Sequence, residues 1–182
     1  MSARPPRVLV LAASRHGATA EIAAALASAL AECETGRAGG LTAIAMPVEQ
    51  RPDATAFDAV ILGSAVYAGH WLDPAREYAA THADVLRRRP VWLFSSGPIG
   101  EPPFPPDEPY DVVPLMQLIG ARGHRVFAGR LDASRLSFGE RAMVTAMRAP
   151  LGDFRDWDAV RAWATEIAGS ILTPAGAPSV PG

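Results

Sequence analysis

The sequence has no lysine; all 17 of its basic residues are arginine. A phosphate loop of the Walker type, a Schiff-base enzyme and a pyridoxal enzyme all need a lysine amine, so those chemistries are excluded. A response-regulator receiver is excluded on the same ground and on a second one: it needs acidic residues after its first strand, where Ala12 and Ala13 stand. The single cysteine, Cys33, rules out an internal disulfide framework and a cysteine-based metal cluster. No apolar run approaches the roughly 20 residues that cross a bilayer. A formal net charge of −2 gives no broad cationic face for nucleic acid. The run Arg87-Arg88-Arg89 sits where cations complement a helix C-terminus. Arg4 and Arg7 precede a short apolar run, but Arg15, His16 and Glu21 interrupt it. The segment therefore reads as a core strand rather than a signal peptide, and a cytoplasmic location is expected.

What is present is an alternation of short apolar runs with helical segments, the pattern of parallel βαβ units. Strands are predicted at 7–12, 41–46, 58–64, 90–95 and 124–129, and helices at 18–32, 73–88, 110–122 and from Asp156 onward. Ala18, Ile22, Leu26 and Leu30 make one buried stripe on the first helix. Residues 132–155 form a connection longer than α/β units usually need, with an amphipathic helix over 138–147. Residues 1–172 read as a single domain, and 173–182, rich in Pro, Gly and Ala, as a disordered tail. The pattern gives a doubly wound sheet of five parallel strands with helices on both faces, and the order 2-1-3-4-5 is what the resemblance described below implies for it. Ligands of such sheets sit at the carboxyl ends of the strands, which brings together the loops 14–19, 64–72 and 95–104.

The first loop, Ser14-Arg15-His16-Gly17-Ala18-Thr19, hands an apolar strand to a helix N-terminus. Backbone N–H groups and the helix dipole favour an anion there, Ser14 and Thr19 offer hydroxyls, and Gly17 permits close approach. The same residue types also serve as ordinary helix caps. The second loop, Gly63 to Leu72, carries Ser64, Ala65, Val66, Tyr67, Ala68, Gly69, His70 and Trp71. Its small residues admit a flat ring, on which Tyr67 or Trp71 can stack; Trp71 equally suits a staple onto the following helix. The third loop, Ser95-Ser96-Gly97-Pro98-Ile99-Gly100, offers backbone groups to the polar edge of a ring. His70 is the titrating group best placed for proton chemistry. There is no G-x-S-x-G elbow, which leaves a serine hydrolase without support.

The Ser-Arg-His-Gly-Ala-Thr turn resembles the phosphate loop of flavodoxin-like proteins, which bind FMN there. The stretch Gly63 to His70, the segment before the last helix, and Asp156-Trp157 at that helix's start resemble the menaquinone-dependent protoporphyrinogen oxidase branch. The likeness runs over most of residues 7–171. It implies a flavodoxin-like fold, noncovalent FMN, removal of hydrogen from protoporphyrinogen IX and transfer of electrons to a membrane quinone. Carried over by position, residues 14–19 hold the FMN phosphate, and 64–71 with 95–100 flank the ring. The inserted segment lies toward a small-molecule substrate or a peripheral membrane contact. His16 stands where flavodoxins usually carry a hydroxyl, and the third loop lacks an aromatic for the second ring face unless Phe104 supplies it. The insertion's Phe138, Met143, Val144 and Met147 suit packing on the protein itself as well as on a membrane. Two further functions stay open: an electron carrier without a substrate, and a flavin-free binding domain on the same fold.

Overall fold

A computed structural model of the chain describes residues 3–97 and 109–173. The main sheet has five parallel strands: β1 (Arg7–Ala13), β2 (Thr42–Pro47), β3 (Ala59–Tyr67), β5 (Val91–Ser96) and β6 (Gly123–Phe127). They lie in the order β2-β1-β3-β5-β6, the 2-1-3-4-5 order expected from the sequence. A short strand, β4 (His70–Trp71), pairs antiparallel with the end of β3.

Period-two alternation divides the central strands between two cores. Val8, Val10 and Ala12 of β1 face α1 (Ala18–Glu32) and α7 (Trp157–Leu172). Leu9, Leu11 and Ala13 face α3 (Asp73–Thr81), α4 (Ala83–Leu86) and α5 (Val112–Ile119). A short helix, α2 (Glu34–Ala38), precedes β2. On the first face Phe94, Phe127 and Trp163 form an aromatic cluster with ring centroids 5.6–6.5 Å apart. Such tilted and edge-on pairs add to the area they bury.

The connection from β6 to α7 is a small structure of its own. It contains β7 (Arg130–Leu131), α6 (Phe138–Met147) and β8 (Gly152–Asp153), and β7 and β8 pair antiparallel. Ser137 caps α6 reciprocally with Glu140, in a capping box. The helix occupies the 138–147 span expected of it.

Three elements differ from the sequence expectations, each for a local reason. β3 does not stop at Ser64 but runs to Tyr67, and Ala68-Gly69 turns it back into β4 with φ of 50° and 79°. Two positive φ values in a two-residue loop match the twist of a tight hairpin. The expected helix 73–88 breaks at His82, whose φ and ψ of −104° and 15° leave the helical region. Ser96, expected to lie in the loop after the strand 90–95, is the last residue of β5. The tail from residue 174 lies outside the described residues. Among the described residues, no helix is long and apolar enough to cross a membrane.

Gly63 lies beside Phe94 in the β3–β5 register, and a Cβ on Gly63 would come within 2.1 Å of Phe94 Cζ. The ring is held by Phe127 and Trp163 and has no room to yield. Gly63→Ala is expected to destabilise the fold by about 1–3 kcal/mol through overpacking, measured by urea denaturation. Phe94→Leu introduced with it should recover part of the loss.

Candidate functional site

Strands β1, β3 and β5 end on the same side of the sheet, and the inserted segment folds over those ends. Between them lies a cavity of about 370 Å³. Its floor is the turn after β1 together with Ala65–Gly69, Ser96 and Gly97; its roof is Gly129–Asp132, Arg135, Leu136 and the α6 residues Met143, Val144 and Met147.

The turn is built locally. Ser14 Oγ accepts the Gly17 N–H at 3.0 Å, and Gly17 takes φ 89°, a left-handed conformation that favours glycine. Helix α1 then starts at Ala18 without a side-chain cap on its first N–H groups. An uncapped helix start, with its partial positive charge, is suited to an anion.

Arginines of the insertion reach this turn. Arg135 Nη1 donates to the His16 carbonyl at 3.0 Å and lies 3.2 Å from where a Gly17 Cβ would stand. Arg130 Nη2 approaches the same carbonyl at 3.5 Å, while its Nη1 pairs with Glu21 of α1 at 3.0 Å. Arg155, almost fully covered, joins Glu21 to Asp153 and so ties β8 to α1. Arg15 places its guanidinium over the Tyr67 ring, 4.4 Å from the centroid. Burial pushes the Tyr67 hydroxyl pKa up.

Glu140 latches α6 to the turn. Its carboxylate accepts the Ser137 N–H at 2.8 Å, His16 Nε2–H at 3.1 Å and, at a longer 3.4 Å, Arg15 Nη1. These donors, the Ser137 N–H foremost and His16 after it, hold the Glu140 pKa down at about 2.

Of the residues expected at the site, Ser14, Arg15, His16, Ala18, Thr19, Ala65, Val66, Tyr67, Ala68, Gly69, Ser96 and Gly97 border the cavity. Gly17 sits in the turn beneath Arg135. Three side chains turn elsewhere. Trp71 is buried, 2% exposed, and its Nε1 donates to Ser95 Oγ at 2.8 Å, so it packs into the second core instead of stacking in the cleft. Ser95 Oγ also lies 2.8 Å from His124 Nε2. Ser64 Oγ accepts the Leu72 N–H at 2.9 Å and donates to the Ala65 carbonyl, fixing the hairpin base. Pro98, Ile99, Gly100 and Phe104 lie outside the described residues.

His70 stands on the exposed side of the hairpin. Its Nδ1–H donates to Asp111 at 3.2 Å, and its ring tilts against Tyr110 at 5.2 Å. Tyr110 borders the cavity and covers Gly69, where a Cβ would come within 2.6 Å of its ring. Sequence reasoning missed Tyr110, Arg130 and Arg135. Tyr110 read as the start of a helix, and the two arginines are more than 110 residues from the turn they meet.

The family model described as Flavodoxin domain matches residues 9–158, and the chain belongs to that family. Comparison with curated proteins gives no match. Among solved structures, a flavodoxin from the domain Archaea superposes with a TM-score of 0.59 at 11% identity, over 92% of this chain and 99% of that one. Oxidised Flavodoxin 1 from Bacillus cereus gives 0.59 at 15% identity, again over 92% and 99%. The rubredoxin oxygen:oxidoreductase from Desulfovibrio gigas gives 0.57 at 13% identity over 91% of this chain, which spans only 36% of that protein. At these identities the likeness is one of fold. The family match does not single out the protoporphyrinogen oxidase branch.

Because the folded-state pKa of Glu140 lies near 2 against an ordinary 4.5, its contribution is complete above pH 4.5 and fades as the pH falls toward 2. Docking of α6 should weaken over that window. Glu140→Gln should produce the same loosening at pH 7, seen as faster hydrogen exchange across residues 138–147 with the central strands unchanged.

Proposed function

We propose that the protein binds FMN in this cleft and acts as a flavin-dependent oxidoreductase on a small-molecule substrate. The observation that carries the reading is the division of the cavity lining into cationic and apolar residues. Arg15, Arg130, Arg135 and the uncapped start of α1 surround the turn, and Met143, Val144 and Met147 of α6 line the same cavity. A phosphorylated, ring-bearing cofactor has the same division, and the cavity volume falls within the range of small-molecule sites. When bound, FMN supplies the redox chemistry, taking two electrons and hydrogen from a reduced substrate and releasing the electrons to an acceptor.

The chain's own part is positioning. The turn 14–19 anchors the phosphate, the Ala65–Gly69 backbone and Ser96–Gly97 border the space for the ring, and Tyr67 forms one edge under Arg15. Asp111 accepts a hydrogen bond from His70 Nδ1–H at 3.2 Å and so orients the imidazole on the exposed side of the hairpin. The apolar α6 wall favours a substrate with a large apolar ring system. The sequence resemblance makes protoporphyrinogen IX the first such substrate to test, with menaquinone as acceptor. An electron carrier without a substrate is the second reading, favoured by the near-complete span over free-standing flavodoxins.

The decisive measurement is the visible spectrum of the purified protein after addition of FMN and desalting, followed by protoporphyrinogen oxidation with menaquinone. Retained flavin with turnover supports the enzyme, retained flavin without turnover the carrier, and no retained flavin removes the FMN assignment. Gly17→Val should abolish retention, since its side chain enters the space over the turn. At φ 89° it should also cost about 1–2 kcal/mol of stability, read from a thermal melt.

A further inference from the structure

We propose that Arg135, supported by Arg130, binds the flavin phosphate directly, so that the protein selects the phosphorylated flavin by charge and closes its inserted segment on the cofactor. This rests on the FMN reading above and goes beyond it by assigning the contact to the insertion. The neutral donors of a strand-to-helix turn suffice to hold a phosphate through N–H groups alone. Here two guanidinium groups converge on the same point from outside the turn. Arg135 Nη1 is 3.2 Å from the space above Gly17, and both side chains border the cavity.

Their partners decide which of the two matters more. Arg130 is already paired with Glu21, which it shares with Arg155, and its side chain is only 15% exposed. That is the geometry of a clamp holding β7 on α1. Arg135 has weaker engagements. It donates to a neutral carbonyl, and its ion pair with Asp132 is long, at 3.7 Å. The Ser134 N–H and hydroxyl hold Asp132 by its Oδ1, at 2.9 and 2.7 Å, while Arg135 Nε reaches only toward Oδ2. A phosphate dianion over Gly17 offers the Arg135 guanidinium a bidentate, charge-assisted partner in place of that carbonyl.

The charge around the cavity agrees. Among the described residues, three arginines, Arg15, Arg130 and Arg135, line the cavity against one carboxylate, Asp132. The carboxylates of Glu21, Glu140 and Asp153 lie outside that lining, where they tether the arginines and the insertion to the sheet. An anion at the turn therefore bridges the two halves of the site, with α1 beneath and the β7-to-α6 segment above. FMN, and not riboflavin, makes that bridge.

The test is a fluorescence titration of flavin-free protein with FMN and with riboflavin, for wild type, Arg135→Ala and Arg130→Gln, with thermal melts confirming that each variant is folded. Wild type should prefer FMN, with an affinity that falls as salt rises. Arg135→Ala should weaken FMN binding about tenfold or more, the loss expected of one charge-assisted contact. It should leave riboflavin affinity unchanged and flatten the salt dependence, and Arg130→Gln should have a smaller effect of the same kind. Hydrogen exchange should show protection of residues 130–147 on adding FMN but not riboflavin. FMN affinity in Arg135→Ala within twofold of wild type, or equal losses for both flavins, would overturn this inference and leave the FMN reading standing. Failure of wild type to bind either flavin overturns that reading itself.

Discussion

The site depends on one short contact, the Gly17 N–H held by Ser14 Oγ where β1 gives way to α1. It fixes the turn before the helix begins, lets Gly17 take its left-handed φ, and leaves the first N–H groups of α1 uncapped. The turn lies at the mouth of the crevice because β1 is flanked by β2 and β3, which place it at the point where the strand order reverses. The carboxyl ends of β3 and β5 then supply the rest of the floor. Backbone pairing, which no single side chain controls, sets this arrangement. The two cores on either face of the sheet keep it rigid.

The inserted segment turns that open crevice into a bounded cavity. Its attachments to the turn and α1 are polar: Glu140 to His16 and Arg15, Arg135 to the His16 carbonyl, and Arg130 and Arg155 to Glu21. Each of these contacts has at least one partly solvated partner, and such ion pairs contribute little individually. The insertion is therefore held by a network anchored at the Ser14–Thr19 turn and not by a core of its own, and none of the α6 side chains is buried. An element of that kind opens and closes at lower free energy than the sheet beneath it. If Arg135 binds an anion at the turn as proposed, occupancy of the turn and closure of the wall are linked.

What the sequence made legible follows the range of the interactions. The strands, the α1 stripe and the turn at Ser14–Thr19 depend on periodicity and on a contact three residues apart, so they could be read directly, whereas the strand order followed from the fold class and not from any local pattern. The α6 helix was legible because its amphipathic pattern is also local. The hairpin at Ala68-Gly69 was missed because Ala68 takes a positive φ, a conformation more often given to Gly or Asn. Trp71 had two places open to it in the sequence, and it takes the inward one: it alternates with exposed His70 in a two-residue strand, packs with Ala75 and Tyr78 of the following helix, and donates its indole N–H to Ser95. Arg130, Arg135 and Tyr110 had no sequence signal of their own, since each acquires its place only when the chain folds back across the strand ends.

The same inserted segment supplies both chemical characters of the cavity. Arg130 and Arg135 come just before α6, and Met143, Val144 and Met147 lie on it, one turn or less apart and on the cavity side. Charge for a phosphate and an apolar wall for a ring system are therefore presented by one connected piece of chain, docked at one place. An electron carrier that exposes a flavin edge to a partner has no use for such a wall, which narrows access to the ring. A substrate enzyme does, because a wall excludes water from the reacting face and orients an apolar molecule over it. Met143 and Met147 are more than half exposed, so the wall remains open on its outer side to a molecule larger than the cofactor. Linking that wall to the cofactor's phosphate would make the substrate surface complete only when FMN is in place.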